Sequence, residues 1–135
     1  MGADHPDVAT SLNNLAGLYQ LQGRYSEAEP LYGRSPAIME QQLGAGHPDV
    51  ATSLNNLAEL YRVQGRYSEA EPLFGRSLAI FINVLGKNHP QTQTTQDNFR
   101  HLVQQVIEAG RARELSNHPA TQAMLQQLQT ENGDA

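Results

Sequence analysis

The chain has 135 residues, of which 39% are hydrophobic and 17% charged, and its formal net charge at pH 7 is −5. This length suits one domain with a single modest core. The absence of cysteine excludes disulfides, thiolate metal sites and cysteine nucleophiles, and the acidic balance without a basic stripe excludes a nucleic-acid surface.

Membrane association is also excluded at this stage. No apolar run approaches the roughly 18 residues that a membrane span requires, and residues 1–4 do not resemble a signal peptide. We therefore expect a soluble, cytoplasmic protein with neither a membrane nor a nucleic acid as partner.

An internal repeat organises the chain. Residues 5–46 align without a gap with residues 47–88, and 31 of the 42 aligned positions are identical. A third unit begins in register at His89 and diverges after about Leu102. The sequence thus divides into a lead (1–4), two repeats (5–46 and 47–88), a divergent third helical unit or cap (89–130) and a disordered tail (131–135).

Each repeat begins with a predicted helix A. Its apolar residues have the spacing of one helical face: Leu12, Leu15, Ala16 and Tyr19 in the first repeat. Each helix begins at a proline that follows a capping histidine, as in His5-Pro6, and Gly23 or Gly65 supplies the left-handed residue that ends it. Helix A is therefore predicted over about 6–22 and 48–64.

Helix B follows in each repeat and ends near Gly44 or Gly86. Ser26 with Glu29, and Ser68 with Glu71, match the capping box that begins a helix, which leaves Pro30 and Pro72 in the first turn. Pro36 stands where the second repeat has leucine. Because proline inside a helix removes a backbone hydrogen bond and clashes with the preceding turn, we expect the first helix B to kink or break there.

The third unit is predicted to contain two more helices. One runs from Pro90 to about Ala109, ends at Gly110 and has Phe99, Leu102, Val103 and Val106 inward. The other runs from Pro119 to Thr130, is capped by Asn117 and His118, and carries Ala120, Met124, Leu125 and Leu128. This last segment is expected to cover the apolar stretch at residues 81–84.

The repeat resembles a known family. The pattern Leu12-x2-Leu15-Ala16-x2-Tyr19, followed by Gly23-x-Tyr25-x2-Ala28-x3-Tyr32, resembles the tetratricopeptide repeat. The 42-residue period and the segments His-Pro-Asp-Val, Leu-Asn-Asn-Leu-Ala and Ala-Glu-Pro-Leu resemble its kinesin light chain variety. The resemblance implies an all-α, right-handed superhelix of stacked antiparallel helix pairs, with two full repeats and a divergent C-terminal helical cap. It also implies that short extended peptides dock on a concave surface lined by the A helices.

Polar residues on the A helices are the candidates for peptide binding. Asn14, Asn56 and Asn98 recur in phase, and a carboxamide can hold a peptide backbone because it both donates and accepts. The full candidate set is Thr10, Asn13, Asn14, Thr52, Asn55, Asn56, Glu59, Arg62, Asn98 and His101. Arg62 is predicted to select an acidic ligand position, and Glu59 to disfavour a second acid. The asparagines could equally brace adjacent repeats, and both interpretations stay open.

Nothing in the sequence indicates catalysis. The chain lacks a glycine-rich phosphate loop and a nucleophile elbow, and equivalent histidines of successive repeats are too far apart to share a metal ion. We therefore expect no enzyme, cofactor or metal site. The leading hypothesis is a non-catalytic protein interaction module, and the alternative is a self-assembly unit or a fragment of a longer array. Because the first helix A is uncovered, a homodimer through that end or through exchange of the C-terminal helix is expected.

Overall fold

Seven helical elements make up the part of the chain that the structure, a computed structural model, describes: residues 5–116 and 118–133. The α-helices are α1 (Pro6–Leu21), α2 (Tyr25–Leu43), α3 (Pro48–Val63), α4 (Tyr67–Leu85), α5 (Pro90–Glu108) and α6 (Pro119–Gly133). A short 3-10 helix, Ala112–Glu114, lies between α5 and α6. These residues contain no β-strand, and the all-α prediction is confirmed.

The helices stack in pairs. Helix α1 packs along α2 and α3 along α4, while α2 also contacts α3 and α4 contacts α5. Smaller contacts join α1 to α3 and α3 to α5. The odd-numbered helices, which are the predicted A helices, therefore form one layer, and we call the surface of α1, α3 and α5 the A-helix face.

Apolar side chains are shared between successive pairs along the whole stack. Near α1, Ala16 clusters with Tyr32 of α2 and Leu60 of α3. Towards the C-terminal end, the rings of Phe74 and Phe99 stack with their centroids 6.2 Å apart. Each interface thus joins one repeat to the next, which is how a repeat that cannot bury its own apolar faces becomes stable.

The predicted ends of the A helices are confirmed within a residue or two. The Nδ1 atoms of His5, His47 and His89 accept hydrogen bonds of 3.0, 3.0 and 3.1 Å from the backbone N–H two residues later. At the other end, Gly23 and Gly65 have φ angles of 74° and 75°, the left-handed conformation that glycine adopts without strain. Each histidine therefore caps the N-terminus of its helix.

The predicted capping boxes are wrong. Helix α2 begins at Tyr25, one residue before Ser26, and its start has no side-chain cap hydrogen bond. Helix α4 begins in the same way at Tyr67. The glutamate that would complete the first box, Glu29, instead forms an ion pair with Arg66 of the next repeat. Glu29 therefore pairs with an arginine of the next repeat and not with Ser26 of its own helix.

Of the predicted kink or break at Pro36, the break is wrong, because α2 is continuous over its 19 residues. It is as long as α4, which has leucine at the equivalent position. The buried residues Ile38 and Met39 follow Pro36, so packing holds the helix together through a position that local propensity disfavours. Pro30 is the sixth residue of α2 and so lies in the second turn, not the first.

The third unit closes the stack as predicted, with Phe99, Leu102, Val103 and Val106 buried. Met124 and Leu128 of α6 join the same cluster, and Leu125 packs against it. Helix α6 continues to Gly133, so residues 131–133 are helical rather than part of a disordered tail. Asn117 and the side chain of Ala120 lie outside the described residues, as do residues 134 and 135.

The C-terminal segment does not cover the apolar end of α4, contrary to prediction. Ile82 and Val84 are 39% and 47% exposed. Phe81 is buried, but it packs in the cluster that α1, α2 and α3 share. Among the helices of the described ranges, none is long and apolar enough to cross a membrane.

Candidate functional site

Two cavities of similar size lie between successive A helices. The first, of about 240 Å³, lies between α1 and α3, and the second, of about 220 Å³, lies between α3 and α5. Their linings correspond at the 42-residue period: Thr10 and Thr52, Asn13 and Asn55, Met39 and Phe81, Asp49 and Gln91, Thr52 and Thr94, and Ser53 and Thr95. The repeat therefore builds one cavity twice.

Each cavity combines apolar and polar surface. Met39 of α2 and Phe81 of α4 are 5% and 2% exposed and contribute the apolar part from the second layer of helices. Threonine hydroxyls and asparagine amides from the A helices supply the polar part. Such a lining can hold an apolar side chain while hydrogen bonding the backbone that carries it.

Three of the candidate asparagines join one A helix to the next. The Nδ2 of Asn13 donates to the Oγ of Ser53 at 3.2 Å. The Nδ2 of Asn98 donates to the Oδ1 of Asn55 at 3.4 Å. These bonds support the bracing interpretation for Asn13, Asn55 and Asn98. The Oδ1 of Asn13, however, is buried without a hydrogen-bond partner in the described part of the chain.

The other two asparagines face open space. Asn14 is exposed and Asn56 is half-buried, and both line the first cavity. Within residues 5–116 and 118–133, neither side chain has a hydrogen-bond partner. The two interpretations of the asparagines therefore apply to different residues. The side chains of Asn14 and Asn56 are available to a ligand, whereas the amide of Asn98 is bonded to Asn55.

The candidate threonines are bonded within their own helices. The Oγ1 atoms of Thr10 and Thr52 donate to the carbonyl oxygens of Pro6 and Pro48, each at 3.3 Å. A hydroxyl that donates in this way keeps its lone pairs. Both threonines can therefore accept a hydrogen bond from a ligand N–H in the cavities that they line.

Arg62 does not present a free positive charge. Its Nε and Nη2 donate to the Glu59 carboxylate at 3.0 and 2.9 Å, and its Nη1 donates to the Oε1 of Gln105 at 2.8 Å. The hydrogen bonds to Glu59 raise the pKa of Arg62. The pair neutralises itself and links α3 to α5, which does not support selection of an acidic ligand. His101 is exposed on α5 and lines neither cavity.

Sequence reasoning missed the residues that complete the cavities. The alignment places Phe81 at the position of Met39, but the sequence indicated only an apolar stretch at residues 81–84 that the C-terminal segment would cover, not a shared cavity wall. Ser53 and Thr95 also line the cavities and were not candidates. The sequence did contain a signal for them, because Ser53 and Thr95 directly follow Thr52 and Thr94 at the same position of the repeat.

The sequence profile described as Tetratricopeptide repeat matches residues 7–83 and 49–99. A crystal structure of a Podospora anserina putative kinesin light chain with nearly identical TPR-like repeats is 27% identical, with a TM-score of 0.72 over 96% of this chain and 69% of that one. A variant of the same protein is 28% identical, with a TM-score of 0.69 over 98% and 69%.

A further structural relative is BtubC (BKLC) from P. vanneervenii. It is 21% identical, with a TM-score of 0.73 over 96% of this chain and 59% of that one. This likeness shows a shared fold. Among curated proteins, no sequence matches the chain significantly.

Proposed function

Because this chain belongs to the tetratricopeptide repeat family, whose repeats generally mediate protein–protein interaction, we propose that it binds an extended segment of a partner protein on the A-helix face. The kinesin light chain-like neighbours are non-catalytic scaffold folds, so the proposed role is binding without catalysis. The proposal places this interaction in the cytoplasm and includes neither a nucleic acid nor a membrane.

The observation that carries the proposal is the pair of cavities one repeat apart. Neighbouring helices pack about 10 Å apart, and an extended chain rises about 3.3 Å per residue. Side chains three residues apart share one face where the segment adopts the polyproline II conformation, with three residues per turn and a rise of about 3.1 Å per residue, and such a segment can place two of them in the two cavities together. From one cavity to the other such a segment spans about four residues, to which its flanks are added.

Polar groups around the cavities match the backbone of such a segment. At the first cavity the Oδ1 of Asn13 is buried out of reach of a ligand, so Asn14 and Asn56 carry the main-chain contacts. The amides of Asn14 and Asn56 lie at the same cavity and can pair with both N–H and C=O groups. These contacts bind main chain, so they set where the segment lies without fixing its sequence.

The charges near the cavities favour a neutral or basic segment. Arg62 is neutralised by Glu59, while the first cavity includes the carboxylate-bearing Asp49, whose side chain is 59% exposed. At the equivalent place the second cavity has the neutral Gln91. A basic residue of the partner is therefore expected beside the first cavity.

The experiment selects binding peptides from a random library with the intact chain and then compares two neighbouring variants. Asn56→Ala should weaken binding by about 0.5–1.5 kcal/mol and leave the melting temperature unchanged, because Asn56 faces the cavity. Asn55→Ala, the matched control, should lower stability, because Asn55 accepts the bond from Asn98. A large loss of stability in Asn56→Ala with affinity retained would contradict the proposal.

Assembly through the uncovered side of α1 is a second candidate function. Its supporting observation is Leu18, which is 52% exposed. The homodimer predicted from the sequence stays a prediction. Light scattering that gives 14.8 kDa, the mass of one chain, over a wide concentration range would reject self-association.

A further inference from the structure

A further cavity, of about 330 Å³, lies between α4 and the segment that leads into α6. Its walls combine apolar residues of α4 with polar side chains, and they include Glu71, Pro72, Gly75, Ala79, Ser116 and Thr121. Gly75 leaves room in the wall, because a Cβ added there would meet no atom within 4 Å. None of these residues belongs to the A-helix face, so this cavity is separate from the two cavities described above.

The carboxylate of Glu71 is a buried charge beside this cavity. Glu71 is 2% exposed, and it accepts hydrogen bonds from neutral donors, namely the backbone N–H and hydroxyl of Ser116 and the hydroxyl of Thr121. Within residues 5–116 and 118–133, no arginine or lysine side chain forms an ion pair with it. Because a buried charge is costly unless an opposite charge lies close to it, the cavity favours a cation.

The first repeat shows how the chain supplies such a cation elsewhere. Glu29, at the same position of the repeat, pairs with Arg66, which directly follows a left-handed glycine. Arg111 is the corresponding arginine after α5, since it also directly follows a left-handed glycine. It instead stacks on Tyr67, with its guanidinium carbon 4.8 Å from the ring centre, and donates to Glu114 at 2.8 Å. The unit that would supply a counterpart of Arg66 is thus present, but its arginine is bound elsewhere.

Ser116 links the cavity to the buried carboxylate. Ser116 is exposed, and its hydroxyl donates to the Oε2 of Glu71 while it accepts from the backbone N–H of His118 at 3.2 Å. A hydroxyl oxygen has two lone pairs, so one remains for a donor of a ligand. A ligand N–H can therefore bind the oxygen of Ser116 although Glu71 itself is covered. The negative charge then acts across this hydroxyl, in surroundings of low dielectric where charges interact strongly.

The lining selects the kind of cation. A single acceptor oxygen suits a compact ammonium, whereas a guanidinium presents a fork that two neighbouring oxygens match best. Pro72 and Ala79 provide apolar surface for the methylene groups that carry the ammonium. Arg76 also lines the cavity, but Glu40 matches its charge at 3.0 Å. The net charge of −5 favours the approach of a cation.

We propose that this cavity binds a primary alkylammonium group, which donates to the Ser116 hydroxyl and has the Glu71 carboxylate as its counter-charge. A lysine side chain of a partner protein and a small free amine share this chemistry. The site is built on α4 and the segment after α5, so it does not depend on the proposed peptide binding to the A-helix face.

The test follows the backbone amide signals of Ser116 and Thr121 by NMR while butylammonium is added to the intact chain at constant ionic strength. Saturable shifts of these two signals are expected. Butanol, which has the same alkyl chain without the charge, should bind at least about tenfold more weakly, because hydrogen bonds that involve a charged group are the stronger ones. Butylguanidinium should also bind severalfold more weakly than butylammonium.

A second titration identifies the source of the ammonium group. A short glycine peptide with one central lysine is compared with the same peptide after acetylation of that lysine. Binding of the unmodified peptide alone would assign the site to a lysine of a partner protein. Binding of butylammonium without binding of either peptide would assign it to a small amine.

Two variants remove the site in different ways. Glu71→Gln removes the charge and should weaken butylammonium binding at least about tenfold. Gly75→Leu fills the cavity but keeps Glu71 and Ser116, so it should abolish binding even if Glu71→Gln also loosens α6. Gly33→Leu is the matched control, because Gly33 has the equivalent position in α2 and an added Cβ there also meets no atom within 4 Å. It should leave binding unchanged.

Three results would overturn the proposal. The first is the absence of any shift at Ser116 and Thr121 in the unaltered chain. The second is equal binding of butanol or butylguanidinium, and the third is binding that neither Glu71→Gln nor Gly75→Leu weakens. Asn56→Ala should leave butylammonium binding unchanged, which separates this test from that of the A-helix face.

Discussion

The Oγ1 of Thr121 donates a 2.6 Å hydrogen bond to the Oε2 of Glu71, fifty residues earlier in the chain. Glu71 also accepts hydrogen bonds from the backbone N–H, at 2.8 Å, and the hydroxyl of Ser116. In the first repeat the equivalent Glu29 pairs with Arg66 of the following repeat. One position of the repeat therefore always binds the next unit, whether that unit is a repeat or the cap.

Removing the Glu71 carboxylate should loosen α6. Glu71 is 2% exposed, so Glu71→Ala leaves the donors of Ser116 and Thr121 without their acceptor and should lower the free energy of unfolding by about 1–3 kcal/mol. Urea denaturation followed by circular dichroism measures the change. Glu69→Ala is the control, because Glu69 is exposed and its loss should cost far less. Equal losses in the two variants would show that the carboxylate does not hold the cap.

The two repeats should respond differently to the same substitution. Leu60→Ala should lower the free energy of unfolding by about 2–5 kcal/mol, because Leu60 is fully buried. Leu18→Ala, the equivalent change in α1, should cost much less, because that side chain is already half exposed. Similar losses would mean that α1 is covered in solution, for example by a second chain. Denaturation at several protein concentrations distinguishes that case.

Features set by a few neighbouring residues could be predicted from the sequence. The histidine caps and the helix ends at Gly23 and Gly65 follow from local patterns. The apolar spacing of the A helices also identified part of the core, such as Ala16 and Phe99, although Leu15 is 42% exposed. In such cases the residues that decide the structure lie within one or two helical turns of each other.

Features that depend on distant partners could not be predicted. Ser26 and Glu29 have capping-box spacing, but Glu29 binds Arg66, 37 residues away, and the helix begins at Tyr25. Asn13 and Asn14 are neighbours with the same side chain, yet only Asn13 reaches Ser53. Which asparagine braces and which faces the cavity depends on the angle between two helices, and the sequence does not contain that angle explicitly.

The ion pair between Arg66 and Glu69 predicts a shift in the pKa of Glu69 that NMR can follow. A hydrogen bond from Arg66 lowers the pKa of Glu69 below its usual value. Because the folded-state pKa is lowered, this contribution to stability is present above the usual glutamate pKa and is lost as the pH falls through the folded-state value. Arg66→Gln should therefore raise the pKa of Glu69 towards its usual value. Arg24→Gln, which removes the hydrogen bonds from Arg24 to Glu27, should leave the pKa of Glu69 unchanged. An equal effect of both variants on the pKa of Glu69 would contradict a local cause.

Replacing Pro36 by leucine should raise the melting temperature, even though α2 is continuous. Proline has no N–H to donate to the carbonyl of Tyr32 one turn earlier, and proline inside a helix costs about 3 kcal/mol or more. The second repeat shows that leucine is accommodated, because Leu78 at the equivalent position is 8% exposed within the core.

Crowding by the larger side chain opposes this gain, since overpacking a core costs about 1–3 kcal/mol. A net gain of about 1 kcal/mol would raise the melting temperature by several degrees in a chain of this size. The reciprocal variant Leu78→Pro should lower it more strongly, because it loses both the backbone hydrogen bond and a buried side chain. Thermal unfolding of both variants by circular dichroism measures the two effects. A melting temperature of Pro36→Leu that is unchanged or lower would show that crowding at this position cancels the restored backbone hydrogen bond.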